Sequence, residues 1–288
     1  METPALLPGA GPDATILFVH AHPDDETIVT GASMAASAAA GARVVLLTCT
    51  RGELGEVIPA ELAHLEVKAG NTADGSTLAA ERERELAAAL AALGIHEHLW
   101  LGQGLAAPSD GPVVFRDSGM QWGPAGRAMA ASRVLPGSLS RAPLAETAEL
   151  MAAAIRELRP TIVITYAADG GYGHPDHVRT HELTMAALRL AAAPTPTSAA
   201  WRVSSVYTIV SDRPERPLET GVTRLAVAGD LAAKTAAMAA HKTQITVDGD
   251  RYALSDNVWK DISAVEEFVA VDPAGIYPPA EPGGSGAS

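Results

Sequence analysis

At 288 residues and 47% hydrophobic side chains, the chain has enough apolar material for a sizeable core, and the length of one α/β domain with an appended region. Its formal net charge of -13 argues against nucleic acid or an anionic membrane surface as a partner. No run approaches the roughly 18 uninterrupted apolar residues of a membrane span, no basic leader precedes Ile16, and the single cysteine, Cys49, cannot form an internal disulfide; the expected setting is the reducing cytoplasm.

Residues 1–14 are rich in Pro and Gly and are expected to form a disordered tail. Thr15 to His20 is a continuous β-branched and aromatic run, the pattern of a strand buried on both faces. Glu26 to Ala40 reads as a helix stopped by Gly41. Arg43 to Cys49 is a second strand, Leu78 to Leu93 a helix ending at Gly94, and His98 to Leu101 a short third strand. Leu144 to Leu158 is helical and closes before Pro160, followed by a strand over Thr161 to Tyr166 and a helix over Pro175 to Ala193. This alternation predicts a Rossmann-like α/β fold: a mostly parallel sheet, helices on both faces, and the active site at the carboxyl ends of the strands.

Two long stretches, Thr50 to Thr77 and Gly102 to Pro143, exceed normal connection lengths. Both follow strands and leave the sheet at its carboxyl edge, so they are expected to wall a substrate pocket. Past Pro194 the pattern weakens to a strand over Ser204 to Ser211 and a helix over Leu231 to His241; residues from Ile245 onward follow no clear period. The expected division is a Rossmann-like core over 15–194, a smaller α+β region over 195–277 that packs on the core and completes the pocket, and a disordered tail over 278–288.

The chemistry concentrates in two motifs. His22-Pro23-Asp24-Asp25-Glu26 follows the first strand, and His174-Pro175-Asp176-His177 follows the strand ending at Tyr166. Two His/Asp clusters at two strand ends can meet only in the crevice of an open α/β sheet, where ligands bind. Adjacent side chains diverge, so Asp24 and Asp25 should differ in role: one as a metal ligand with His22, the other free to act as a base. His174 and His177 lie three apart, so one turn of helix brings both to the same edge; one can ligate while the other faces substrate. Three N/O ligands with an open position suit zinc, which lowers the pKa of a bound water to about 7 and polarises a carbonyl. The plainer alternative makes Asp24 a helix cap and Asp25 a first-turn carboxylate. His181 offers a competing ligand pair but more simply supports its neighbours, and His20 reads as support or core. His64, His96 and His98 default to surface or loop histidines, and Cys49 to a small buried hydrophobe.

Val19 to Glu26 and Gly170 to His177 together resemble the LmbE/PIG-L-like family of metal-dependent N-deacetylases. Further matching stretches are Thr48 to Thr50, Gly52 to Ile58, Arg116 to Met120 and Ala240 to Gln244, so the resemblance runs from about Thr15 to Leu254. Gln121 to Pro143 matches less well, and the first dozen residues are an extension. The resemblance implies His22, Asp25 and His177 as metal ligands and Asp24 as the general base. It implies that His174 stabilises or protonates the tetrahedral step and that Tyr172 approaches the oxyanion. It also implies that Arg82 and Asp117 hold the hydroxyls of an amino-sugar inositol glycoside. From the residues alone, Arg82 in Glu81-Arg82-Glu83-Arg84-Glu85 is a solvated helix face. His241 and Gln244 read equally as supports of the site or as helix-end residues. The branch it resembles removes acetate from N-acetyl-glucosaminyl-inositol in mycothiol biosynthesis, with one zinc per subunit and iron(II) as the other candidate. A mycothiol S-conjugate amidase and another sugar N-deacetylase are rivals within the class; the amidase branch would carry a Lys in the first helix, which Thr27 to Thr30 lacks. Outside the class stand a non-haem Fe(II) oxygenase, whose ligand set is similar, and a sugar-binding module with a structural metal.

Overall fold

The computed structural model describes residues 5–68, 74–132, 134–210 and 222–277. The chain begins β1 (Thr15–His20), α1 (Asp25–Ala39), β2 (Arg43–Thr48), α2 (Ser76–Leu93) and β3 (Glu97–Trp100). A hairpin of β4 (Met120–Trp122) and β5 (Ala128–Ala130) follows, then α3 (Leu144–Leu158), β6 (Ile162–Tyr166), the short turn α4 (Gly170–Gly173) and α5 (Pro175–Ala191). The remainder supplies β7 (Ser205–Ile209), β8 (Leu225–Ala228), α6 (Leu231–Ala240), β9 (Thr246–Asp248), β10 (Arg251–Ala253), β11 (Lys260–Asp261), β12 (Val265–Ala270) and α7 (Pro273–Ile276).

Seven strands form one sheet in the order β3-β2-β1-β6-β7-β12-β8. The first five run parallel, and β12 is antiparallel to both β7 and β8. The period-two alternation of β1 explains why the sheet is covered twice. Leu17 and Val19 join Val45, Leu47 and Val163 in a core under α3 and α5, where Met151, Ile155 and Leu188 are buried. Ile16 and Phe18 face the other way with Leu46 and Ile164, against Met34 of α1, Leu86 and Leu90 of α2, and Ala237 of α6. Each such side chain is worth about 1.5–3 kcal/mol relative to exposure, which drives the layered arrangement. Successive connections run β1 to β2 to β3 on one side and resume with β6 on the other, so the order reverses between β1 and β6. That crevice, at the carboxyl ends, is where both His/Asp motifs emerge.

Several expectations need correction. Residues 5–14 are not a loose tail: Leu7, Ala10 and Ala14 are buried against the α1/α2 face, because that face has apolar area left to cover. The stretch Gly102 to Pro143 contains the β4–β5 hairpin. His98 is no loop residue: it lies in β3, half-buried, with Nε2 3.0 Å from Thr48 Oγ1. Residues 195–277 contribute β7, β8 and β12 to the main sheet and a small antiparallel sheet of β9 to β11. The tail expected over 278–288 lies outside the described residues. Among the described residues, no helix is long and apolar enough to cross a membrane.

Candidate active site

The register of β1 on β6 sets the site, since pairing Phe18 with Ile164 brings the ends of the two strands together. His20 is fully buried there, with Nε2 2.9 Å from Thr30 Oγ1 and Nδ1 3.3 Å from the Tyr166 hydroxyl. Burial pushes its imidazole down to about 4, so it stays neutral as a supporting group. Tyr166, unremarked in the sequence beyond its strand pattern, accepts the Ala21 amide at 2.9 Å and donates to Asp25 Oδ2 at 2.7 Å. Its ring stacks on His177 at 4.2 Å.

The first motif is a strained turn. Asp24 sits before α1 at φ 115° and ψ -36°, and its side chain makes no capping hydrogen bond, so the cap reading does not hold. A non-glycine residue in that region costs about 1–3 kcal/mol and persists only where its surroundings over-determine it. Those surroundings are visible. Asp24 N donates to Glu26 Oε2 at 3.0 Å, and the Pro23 carbonyl accepts from Gln244 Nε2 at 2.7 Å. Glu26 Oε1 lies 2.8 Å from His241 Nε2 with both side chains fully buried. Burial disfavours both charges, but the mutual attraction prevails, holding His241 above and Glu26 below its ordinary range. His241 and Gln244 are therefore supports of this turn.

In the second motif His174 begins α5, its Nδ1 accepting the Asp176 amide at 3.2 Å. Gly170 has φ 66°, and a Cβ there would meet His177 Cβ at 2.8 Å, so only glycine lets the turn close on the histidine. His177 Nδ1 lies 3.2 Å from the Gly170 carbonyl, which leaves Nε2 pointing at Asp25 Oδ1, 3.3 Å away. On the other side of Asp25, His22 Nδ1 is 3.2 Å from Oδ2 and the His22 amide donates to the same oxygen at 3.0 Å. His22 Nε2 faces Asp176 Oδ2 at 3.2 Å, and Asp176 itself is fully buried, accepting from the Ser118 amide at 2.8 Å and from the Ser118 hydroxyl. A carboxylate on the far nitrogen fixes ring and tautomer, freeing the near nitrogen to bind an ion.

These residues fit a divalent cation. His22, His174 and His177 each offer a ring nitrogen within 4.8 Å of the others, and buried His177 Nε2 has no hydrogen-bond partner. Burial opposes charge throughout, yet Asp176 and Asp25 hold the His22 imidazolium well above its usual range. The two histidines in turn hold Asp25 ionised well below its own. The spot thus favours a positive charge beside an ionised carboxylate. Burial, then the charge of Asp25, pushes Asp24 up to about 8, while burial and His22 depress His174. His181 is elsewhere, with Nδ1 2.8 Å from the Tyr166 carbonyl. Cys49 is buried, its thiol pushed up to about 12 by burial.

The cleft above the histidines encloses about 470 Å³. Leu54, Gly55 and Glu56 line it from the first long loop, Asp117 and Met120 from the second, and Gln244 and Leu254 from the C-terminal region. Tyr172 stands over the cluster, edge-on to His177 at 5.2 Å. The solvated reading of Arg82 is wrong. It is 3% exposed, donating to the Gly52 carbonyl and, at 3.1 Å, to the Glu56 carbonyl, and so shapes the loop that walls the cleft. Asp117 lines the cleft and lies beside the first motif, its Oδ1 3.7 Å from His22 Nε2. It accepts the Gly119 and Leu54 amides at 2.8 and 3.3 Å. Arg82→Ala should lower stability by about 3–5 kcal/mol, because buried carbonyls lose their donor and nearby Asp24, Glu53 and Glu85 lose their cation. An unchanged melting temperature would show that the loop does not depend on Arg82.

A buried His/Asp cluster opening into a cleft at the switch point of a mixed sheet defines the class: an α/β protein with a candidate hydrolytic metal centre. The chain belongs to the GlcNAc-PI de-N-acetylase (PIG-L) family, whose sequence profile matches residues 17–188. It is 47% identical over 268 residues to the 1D-myo-inositol 2-acetamido-2-deoxy-alpha-D-glucopyranoside deacetylase of Kineococcus radiotolerans, covering 82% of this chain and 70% of that protein. The protein of the same description from Thermobifida fusca is 40% identical, over 89% of this chain and 92% of its own length. Among solved structures, N,N'-diacetylchitobiose deacetylase from Pyrococcus horikoshii has a TM-score of 0.55 at 19% identity, covering 80% of this chain and 71% of that one. That last likeness speaks for the fold alone.

Proposed function

We propose that the protein hydrolyses the acetamide of N-acetyl-glucosaminyl-inositol to acetate and glucosaminyl-inositol, the reaction its relatives are named for, and that this step serves mycothiol biosynthesis. The observation that carries the reading is the buried His177 Nε2, without a hydrogen-bond partner and 3.3 Å from Asp25 Oδ1, beneath a cleft that Asp24 also lines. His22, Asp25 and His177 would hold the cation, zinc by the chemistry of two imidazoles and a carboxylate, with iron(II) as the other candidate. When bound it supplies Lewis acidity, lowering a water's pKa to about 7, polarising the carbonyl and offsetting the burial that raises Asp24. Asp24 takes the proton of the attacking water as its oxygen bonds to the acetamide carbon. Tyr172, which lines the cleft, would donate to the oxygen that gains charge, a contribution of about 2.7–4 kcal/mol for one good donor. The C–N bond then breaks as the nitrogen receives from Asp24 the proton taken from the water, giving the free amine and acetate, while neutral His174, its Nδ1 accepting the Asp176 amide, would stabilise the tetrahedral step with its Nε2–H.

Arg82 and Asp117 would orient the glycoside hydroxyls, with residues 195–277 completing the pocket around a core over 15–194. A single buried cysteine suits the cytoplasm, where we place the enzyme. The test offers N-acetyl-glucosaminyl-inositol and plain N-acetylglucosamine and measures released primary amine. The inositol glycoside should be strongly preferred; equal rates, or amine from neither, would sink the substrate assignment.

A further inference from the structure

We propose that Trp122 is the platform on which the substrate's inositol ring stacks, an inference that rests on the substrate reading above. Trp122 ends β4 and is 60% exposed, an unusual state for a side chain that gains so much from burial. Its hairpin is nonetheless held firmly. At the root, Ser118 is bound by Asp176 of the second motif. In the returning strand, Ala128 is buried and pairs with Trp122, and a Cβ on Gly173 would meet the Ala128 carbonyl at 2.9 Å, so the hairpin lies directly on the turn that carries Tyr172. The strand that carries the exposed indole is therefore held against the site.

The rings give a direction. Tyr172 lies edge-on to His177, and Trp122 lies 5.9 Å beyond Tyr172 with the two planes 31° apart. Trp122 is thus one ring further from the histidines than Tyr172, along the wall of the same cleft. A glycoside whose acetamide sits at the histidines can run its distal ring along that wall. One face of a myo-inositol ring carries axial hydrogens only, an apolar surface that fits a flat indole, while its hydroxyls project from the edge. Glu56, Gln121 and Asp256 line the cleft and supply acceptors for those hydroxyls.

Trp122→Ala should raise KM for N-acetyl-glucosaminyl-inositol about tenfold, the scale of one lost aromatic contact. Turnover of that substrate, and all constants for plain N-acetylglucosamine, should stay as in the wild type. Trp122→Phe should restore most of the KM. Independently of turnover, glucosaminyl-inositol should quench tryptophan fluorescence in the wild type and not in Trp122→Phe. A wild-type KM in Trp122→Ala, or an equal rise on both substrates, would overturn the platform while leaving the substrate reading intact. A wild type that released amine from neither substrate would instead overturn the substrate reading and the platform with it.

Discussion

Asp24→Asn should keep its metal and lose about 10²–10⁴-fold in turnover, the usual weight of a positioned general base. The conformation of this residue is the reason to expect so clean a separation. Asp24 caps no helix and holds no turn with its carboxylate, yet its backbone is kept at φ 115°. Gln244, Glu26 and the α1 amides tie down everything around it except the side chain, which faces the cleft. Strain of about 1–3 kcal/mol stored at a residue with no packing duty points to a duty in chemistry. Asp24→Gly should therefore be both inactive and more stable, melting a few degrees higher, because glycine adopts this conformation without a Cβ penalty. A fully active Asp24→Asn would remove the residue from the mechanism. Metal loss in Asp24→Asn with retention in Asp25→Asn would exchange the two roles.

His22→Ala, Asp25→Ala and His177→Ala should each abolish metal binding and with it activity, since a three-ligand centre has none to spare. His174→Ala is the informative contrast. Its ring belongs with His22 and His177 in the nitrogen trio, so geometry alone offers it as third ligand in place of Asp25. Asp25 is favoured because its carboxylate lies between the two histidines, one oxygen toward each, and is held ionised by them. His174→Ala should then retain metal and lose turnover. Elemental analysis after dialysis reads the outcome, and so does thermal unfolding with and without a chelator: saturation at 100 times Kd adds about 2.7 kcal/mol to stability. The wild type and His174→Ala should melt lower with chelator, while the three ligand variants should not respond. Retention of metal by Asp25→Ala together with loss by His174→Ala would replace one with the other.

The first two-thirds of the fold was legible because its strands are buried on both faces and its helices carry their own stop signals. The motifs were legible for a related reason, as each stands at a strand end where the chain must turn. β12 shows where local reading runs out. Its sequence Val-Glu-Glu-Phe-Val-Ala puts two adjacent carboxylates in a strand paired on both sides, a pattern that looks like surface. Glu266 is buried there because Lys234 meets it at 2.8 Å and the amides of Ala32 and Ser33 donate to it at 3.0 and 2.8 Å. Glu267 pairs with Arg224. Partners that distant leave no trace in a local hydrophobic period. Taken by its own segment Arg82 looks solvated for the same reason, its acceptors being carbonyls of a separate loop. Nothing in the local sequence marks Asp176 as the partner of His22, and Asp117 sits beside His22 through a fold-back of the second loop.

The tie between Glu26 and His241 spans 215 residues of chain and is the clamp behind the strained turn. On a ribosome the first motif emerges 215 residues before its counter-charge and 221 before the Gln244 contact to Pro23. At about 5–20 residues per second, that is a wait of tens of seconds or less in which Glu26 must remain hydrated and the turn unformed. The nascent chain can lay down β1, β2 and their helices by short-range contacts, but the reaction centre must be among the last parts to lock. Catalytic competence should therefore appear as a late, separate kinetic phase in refolding, after most of the secondary structure has returned, in keeping with the slow closure of long-range contacts.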